Sequence, residues 1–287
     1  MPIPKPVPAE SLRISIIVAV FNGVETVQQC IDSVATQTLS DIELIIIDGG
    51  STDGTVDILK ANGEKISYWE SSPDRGIYHA WNKALAHVSG DWVLFLGADD
   101  YLWSDDALER AASHLGGAYP PYRVVYAQVA IINRQGELMY RVGEPWPAVK
   151  ARFAQLMGIP HQGVIHHRSL FEEHGTFDES FRISGDYELL RRELRGADAL
   201  FVPDLILAGM RQGGVSSSPQ QSLLLLQESR RANRMHGDSQ TGLRWWHSYI
   251  RVRARMLLWK LLGEQNARKI LDAGRRLLGR PAHWTRT

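Results

Sequence analysis

Two aspartates, Asp99 and Asp100, close the stretch GDWVLFLGADD (90–100), straight after the apolar run Trp92-Val93-Leu94-Phe95-Leu96. Adjacent carboxylates at the tip of a buried strand repel each other unless something positive sits with them. A hard divalent cation, Mg2+ or Mn2+, meets that need, because it takes oxygen ligands and shares them with diphosphate oxygens. Alone, the pair could equally cap a helix that begins near Ser104 or line a solvated turn. Three further stretches weigh against that bland reading: Phe21-Asn22-Gly23, DGGSTDGT (48–55) and SSPDRG (71–76). Each combines glycines with polar groups, and the last adds an arginine. The phosphate-cradling patterns G-x-G-x-x-G and G-x-x-x-x-G-K-[ST] are absent, so a glycine-rich helix start is not the main anion device.

The elements that must position these loops alternate in type. LRISIIVAV (12–20), IELIIID (42–48), KISYWES (65–71) and DWVLFLG (91–97) read as strands. Between them, VETVQQCIDSVATQ (24–37), DGTVDILKANG (53–63) and GIYHAWNKALAHVSG (76–90) have helical spacing, the last with Ile77, Ala80/Trp81, Ala84/Leu85 and Val88 as its apolar stripe. Near-continuous apolar strands alternating with helices predict an α/β chain with a Rossmann-like, mostly parallel sheet covered on both faces. In such sheets ligands bind beyond the carboxyl ends of the strands, and all four polar loops fall there. Past residue 120 the pattern shifts. Residues 122–143 predict two strands around the turn at 133–136, 161–175 a strand and a short helix, 186–194 a helix, and 199–210 an extended stretch interrupted by Pro203. From about 219 the chain reads as helical.

The chain has 287 residues, 44% of them hydrophobic, enough for one large domain with an appendage. Lys+Arg and Asp+Glu are equal at 32 each, but residues 230–287 hold 14 basic against 3 acidic residues, a net of +11, leaving −11 on residues 1–229. The one cysteine, Cys30, forbids an internal disulfide and fits a reducing compartment. The opening MPIPKPVPAE has four prolines and no apolar core, so residues 1–11 read as a disordered lead rather than a signal peptide.

IIIDGGSTDGT, SSPDRGIYHAWNKALAHVSGDWVLFLGADD, PHQGVIHHRSLFEEHGTFDESF, SGDYELL and GGVS follow one another in that order. As a set, over residues 12–218, they resemble the family 2 glycosyltransferases of GT-A fold, within them the short soluble bacterial enzymes of surface polysaccharide assembly. The resemblance implies a nucleotide-sugar donor (UDP-, GDP- or dTDP-linked), a divalent metal and inversion at the anomeric carbon. It implies a nucleotide-binding half (12–118) and an acceptor-binding half (119–218) taking a glycan or lipid-linked glycan. By position, Ala19, Phe21 and Glu25 would border the nucleoside, and Asp48, Gly49 and Ser51 would lie along the base. Asp74, Arg75 and Asn82 would meet the diphosphate and ribose, Asp99 the ribose or sugar, and Asp100 the metal, with His161 as a further metal or sugar contact. Asp186 would be the catalytic base; on its own it reads as a helix N-cap. Many relatives have D-D-G-S where this chain has Asp48-Gly49-Gly50-Ser51. Processive relatives carry Q-x-x-R-W, whereas QTGLRW (240–245) is one residue longer. That difference, and the lack of any spanning apolar run, imply transfer of a single sugar.

The basic tail, 219–287, carries Trp245, Tyr249, Val252, Met256 and Trp259 at steps of four, three, four and three, which is one helical face. With arginines around it, the region 244–279 fits an anionic membrane surface, which would set a cytoplasmic chain against the inner face of the cell membrane. Packing on the catalytic domain or on a second subunit is the alternative. Nucleic acid is disfavoured because the acidic body repels phosphates. Two other functions stay open: a sugar-phosphate nucleotidyltransferase using the same loops, and a non-catalytic nucleotide-binding scaffold of an assembly complex.

Overall fold

The computed structural model describes residues 12–133, 135–211, 219–238, 242–277 and 279. The proline-rich lead, Arg134, the GGVS stretch, Gln240 and Thr241 of QTGLRW, and residues 280–287 lie outside them. The first half is a run of β1 (Ile14–Val20), α1 (Val27–Ala35), β2 (Ile42–Asp48), α2 (Thr55–Ala61), β3 (Tyr68–Ser71), α3 (Ile77–Leu85) and β4 (Trp92–Gly97). There follow β5 (Tyr101–Leu102), α4 (Ala107–Leu115), β6 (Val124–Ile132), β7 (Leu138–Val142), α5 (Trp146–Phe153), β8 (Val164–His167), α6 (Ser169–His174), α7 (Gly185–Leu194) and β9 (Leu200–Arg211). Two helical segments, α8 (Pro219–Met235) and α9 (Leu243–Leu277), the latter broken by a kink at Gly263 (φ 73°), follow.

One sheet runs β3-β2-β1-β4-β8-β6-β9-β5, with β7 hydrogen-bonded to β6. The β1–β4 strands pair in parallel, and β8 inserts antiparallel between β4 and β6. Successive side chains alternate faces. Ile14, Ile16 and Val18 therefore join α1 and α4 in one core layer, while Ile17 joins α3 and α7 in the other. Both layers are buried, which is why the strands read as unbroken apolar runs. Each fully buried aliphatic side chain contributes about 1.5–3 kcal/mol.

Some elements differ from expectation. Helix α3 stops at Leu85 and turns Tyr78, not Ile77, inward; Ile77 is exposed while Tyr78, Ala80, Trp81 and Ala84 are buried. The 199–210 stretch is one strand: the β6–β9 register jumps between Phe201 and Ile206, so the chain bulges around Pro203 and Asp204 instead of ending there. Pro203 has no N–H to donate, and Asp204 takes a left-handed φ of 59°. The 133–136 turn does join two antiparallel strands, β6 and β7.

Candidate active site

Register brings the polar loops together. Ala19 pairs with both Ile47 and Gly97, Val20 with Asp48, and Asp48 with Ser71, so all four parallel strands end on one rim, neighbours about 4.8 Å apart. The loops then brace one another. Ser51 Oγ accepts from Asn22 N–H (2.7 Å), Asn22 Oδ1 from Thr52 N–H (3.0 Å), and Asp53 from Val24 N–H (3.0 Å). Asp48 is fully buried and organises its own loop: it accepts from Gly50 N–H, Ser51 N–H, Ser51 Oγ and Ser71 Oγ. Only one of these bonds ends on Oδ1, which leaves that oxygen capacity for a further donor. Gly50 has φ of 86°, a conformation that glycine adopts freely. Gly49 is required by space: a Cβ there would lie 2.6 Å from Asp74 Oδ2 and 3.4 Å from the Phe21 ring. Phe21, Gly49 and Asp74, from three separate loops, therefore meet.

The paired aspartates fold back over Gly97. A Cβ on Gly97 would stand 2.8 Å from both Asp99 Oδ1 and Asp100 Oδ2, so two carboxylates converge on space that only glycine leaves open. Asp100 is buried and accepts from Gly97 N–H (3.0 Å). Burial, and then the charge of Asp99, push its pKa up to about 8, eased by the Gly97 N–H, by a bond from Gln162 and by the charge of Arg211. A buried carboxyl held beside another is what a divalent cation would relieve, so the donors fit a hard ion. Among the described residues no three His, Cys, Asp or Glu side chains gather for a metal. The protein would supply Asp99 and Asp100, and diphosphate and water the other ligands.

A further carboxylate lies where α3 meets α7. Gly185 lets the Tyr78 ring lie against the start of α7, since a Cβ there would be 2.8 Å from two ring carbons. The Tyr78 hydroxyl donates to Asp186 Oδ1 (3.2 Å), which also accepts its neighbour's Tyr187 N–H (2.8 Å). Burial raises the Asp186 pKa to about 6, with these bonds pulling the other way and nearby Glu228 adding to the rise. A buried carboxyl whose pKa is raised toward neutrality thus stands at the start of α7, against Tyr78 of α3.

Residues 15–175 match glycosyl transferase family 2. The chain belongs to that family. A "PGL/p-HBAD biosynthesis glycosyltransferase" of Mycobacterium bovis is 34% identical over 178 residues, 61% of this chain and 66% of the relative, so the match spans just under two thirds of that protein. An uncharacterised glycosyltransferase of Mycobacterium tuberculosis is 32% identical over 182 residues, 62% of this chain and 68% of its own. Among solved structures, S. aureus TarS with UDP-GlcNAc superposes with a TM-score of 0.63 at 17% identity, over 89% of this chain and 78% of TarS. The mannosyltransferase PcManGT of Pyrobaculum calidifontis, with GDP-Man and Mn2+, gives 0.62 at 17%, over 95% of this chain and 83% of its own. Identity that low speaks for the fold alone. The chain has an α/β architecture of GT-A type.

Within this fold the remaining anticipated residues take varied positions. Ala19 is partly buried at the rim; Phe21 and Glu25 are exposed beside it. Arg75 is exposed and paired with Glu179 (2.5 Å). Asn82 spends its amide on the 177–179 loop, donating to Phe177 O and Glu179 and accepting Phe177 N–H. His161 is buried against Trp81, Phe95 and Phe177, and burial drops its pKa to about 3. Its ring is therefore neutral, and its Nε2 has no hydrogen-bond partner among the described residues.

Four contributors carried no legible sequence signal. Tyr78 lay outside the expected apolar stripe of α3 and donates to Asp186. Gln162 reaches Asp100 from the next residue after His161. Arg211, at the end of β9, places positive charge near Asp100 and bonds Gln29. Glu228, on α8, accepts the backbone N–H groups of Arg182, Ile183 and Ser184 at 2.8–2.9 Å, holding the approach to Asp186. The 218/219 division expected from sequence separates α8 from the loop it holds. Asn233 of α8 and His236, just past its end, also bond Tyr187 and Glu188 of α7. The Trp245 face of α9 points the same way, inward: Trp245 is buried, donates to Leu226 O (3.0 Å), stacks on Tyr249 and lies under Arg230.

Proposed function

We propose that the chain moves one sugar from a nucleoside-diphosphate sugar to a hydroxyl of a glycan or lipid-linked glycan, with inversion, in surface polysaccharide assembly. What supports this reading is the presence of two unlike carboxylate sites: Asp99 and Asp100 converging at Gly97 beyond β4, and Asp186 held by Tyr78 at the start of α7. As the acceptor oxygen attacks the anomeric carbon, its proton passes to Asp186, the C–O bond to the diphosphate breaks, and the electron pair leaves with the nucleoside diphosphate. A positioned base of this kind is worth about 10²–10⁴-fold. Bound Mg2+ or Mn2+ would neutralise charge on the departing diphosphate. Arg75, once released from Glu179, is within the same loop to meet that charge, and Asp74, Gly49 and Phe21 border the nucleoside. The relatives support the donor class: TarS is described with UDP-GlcNAc and PcManGT with GDP-Man and Mn2+.

The test is a panel of UDP-, GDP- and dTDP-sugars with Mn2+, followed by release of free sugar and nucleoside diphosphate. Turnover of one donor, lost in Asp186→Asn and Asp100→Asn while both keep the native circular dichroism, is expected. Consumption of a nucleoside triphosphate with release of pyrophosphate would replace this function with nucleotidyl transfer. Binding without turnover would leave a scaffold.

A further inference from the structure

Helix α9 has two apolar faces, and among the described residues only one is covered. The Trp245–Tyr249 side packs on α8. At 100° per residue the opposite side presents Leu243, Trp246, Ile250, Ala254, Leu257 and Leu261, at steps of three, four, four, three and four. All are exposed, Leu243 at 88%, Ile250 at 62% and Leu261 at 69%. A soluble surface does not ordinarily carry so long an apolar line without an occupant.

Charge decides what that occupant is. Between residues 239 and 263 there is no Asp or Glu. Arg251 lies on one flank of the stripe and Arg253 and Lys260 on the other, all exposed. A second copy is the poorer fit. In a heptad starting at Leu243, the positions that should be apolar alternate Leu243, Trp246, Ile250, Arg253, Leu257 and Lys260, so a coiled seam would bury two cations against their symmetry mates. A bilayer surface takes the same layout well: apolar side chains enter the acyl boundary, and flanking cations meet anionic headgroups. Among the described residues no helix is long and apolar enough to cross a membrane, so the helix would lie in the surface. A groove of about 540 Å³ between Leu156 and Met157 on one side and Leu243 and His247 on the other extends this face at its first turn.

We propose that the outward face of α9 over residues 243–261 docks the protein on an anionic lipid surface. This corrects which side of the helix makes the contact: the side carrying Trp245, which donates to Leu226 O, lies on α8, and the opposite stripe meets lipid. The inference stands independently of the reaction assigned to the rim.

The test is co-sedimentation of the full chain with vesicles of phosphatidylcholine alone and with about 30% phosphatidylglycerol. Binding to the anionic vesicles is expected, weakened by salt and little seen on neutral ones. Leu257→Asp with Leu261→Asp should lower the partition coefficient about a hundredfold. Arg251→Gln, Arg253→Gln and Lys260→Gln together should lower it on anionic vesicles about a hundredfold and leave the melting temperature unchanged. Equal binding to neutral and anionic vesicles, or none to either, overturns the proposal. So does a wild-type dimer that the Leu variant makes monomeric without change in vesicle binding.

Discussion

Glu228 offers the sharpest test of how the site is held. Its carboxylate is 7% exposed and accepts three consecutive backbone N–H groups, those of Arg182, Ile183 and Ser184. Two residues further on stands Asp186. In Glu228→Ala, three donors lose their acceptor, each costing about 1–3 kcal/mol where water does not replace it. The sum is a large fraction of a typical stability of about 5–15 kcal/mol, and the variant should melt far below wild type. Glu228→Gln is the informative change. The amide oxygen can keep two bonds, but the NH2 then faces the third N–H, donor against donor, at a cost of about 1–3 kcal/mol. The fold survives while the 182–184 loop shifts. A misplacement near 1 Å in a catalytic group costs on the order of 10²-fold, so kcat should drop about ten- to hundredfold. Nucleotide binding, measured by calorimetry, should not change, because the nucleotide rim is built on other loops. The pH profile separates positioning from mere structure. Glu228 raises the Asp186 pKa, so removing its charge should move the acid limb of kcat to lower pH. A Glu228→Gln protein with wild-type kcat and an unmoved acid limb would refute the reasoning.

Other consequences of the structure can be measured directly. Asp186→Asn should cut kcat about 10²–10⁴-fold with nucleotide affinity retained. Since a base must be ionised and burial sets the Asp186 pKa at about 6, wild-type kcat should be flat above that value and fall tenfold per pH unit beneath it; a rate that rises on acidification would contradict the assignment. Tyr78→Phe removes a bond that favours the charged form of Asp186, so the same limb should move to higher pH, opposite to Glu228→Gln. Gly185→Ala sets a Cβ 2.8 Å from the Tyr78 ring, and overpacking there should lower stability by about 1–3 kcal/mol together with kcat, as seen by thermal melting and initial rates. Asp100→Asn should abolish the thermal stabilisation given by nucleoside diphosphate plus Mn2+, which for wild type at 100 times Kd is about 2.7 kcal/mol; an undiminished shift would place the metal elsewhere.

The amino-acid order settles the first hundred residues almost by itself. Unbroken apolar runs alternating with helices of period 3.6 leave few ways to bury Ile14, Ile16, Ile17 and Val18 on two faces at once. A parallel sheet with covered faces then puts every polar strand end on one rim, which is why Asp48, Asp74, Asp99 and Asp100 could be grouped from spacing and resemblance. The second half was less legible because its pairing is non-local. Strand β8 enters the sheet antiparallel between β4 and β6, and β9 survives Pro203 by bulging, which no window of neighbouring residues reveals. Tertiary structure alone decided which polar groups serve the site and which serve the scaffold. Asn82 ties α3 to the 177–179 loop, and Tyr78, outside the expected apolar stripe, turns inward and donates to Asp186. It likewise decided that Glu228 belongs with Asp186 and that the Trp245 face of α9 turns inward. The physical reason is common to these cases. Periodicity records that a side chain faces another surface; only packing between segments far apart in the chain determines which surface that is, and so what the side chain does.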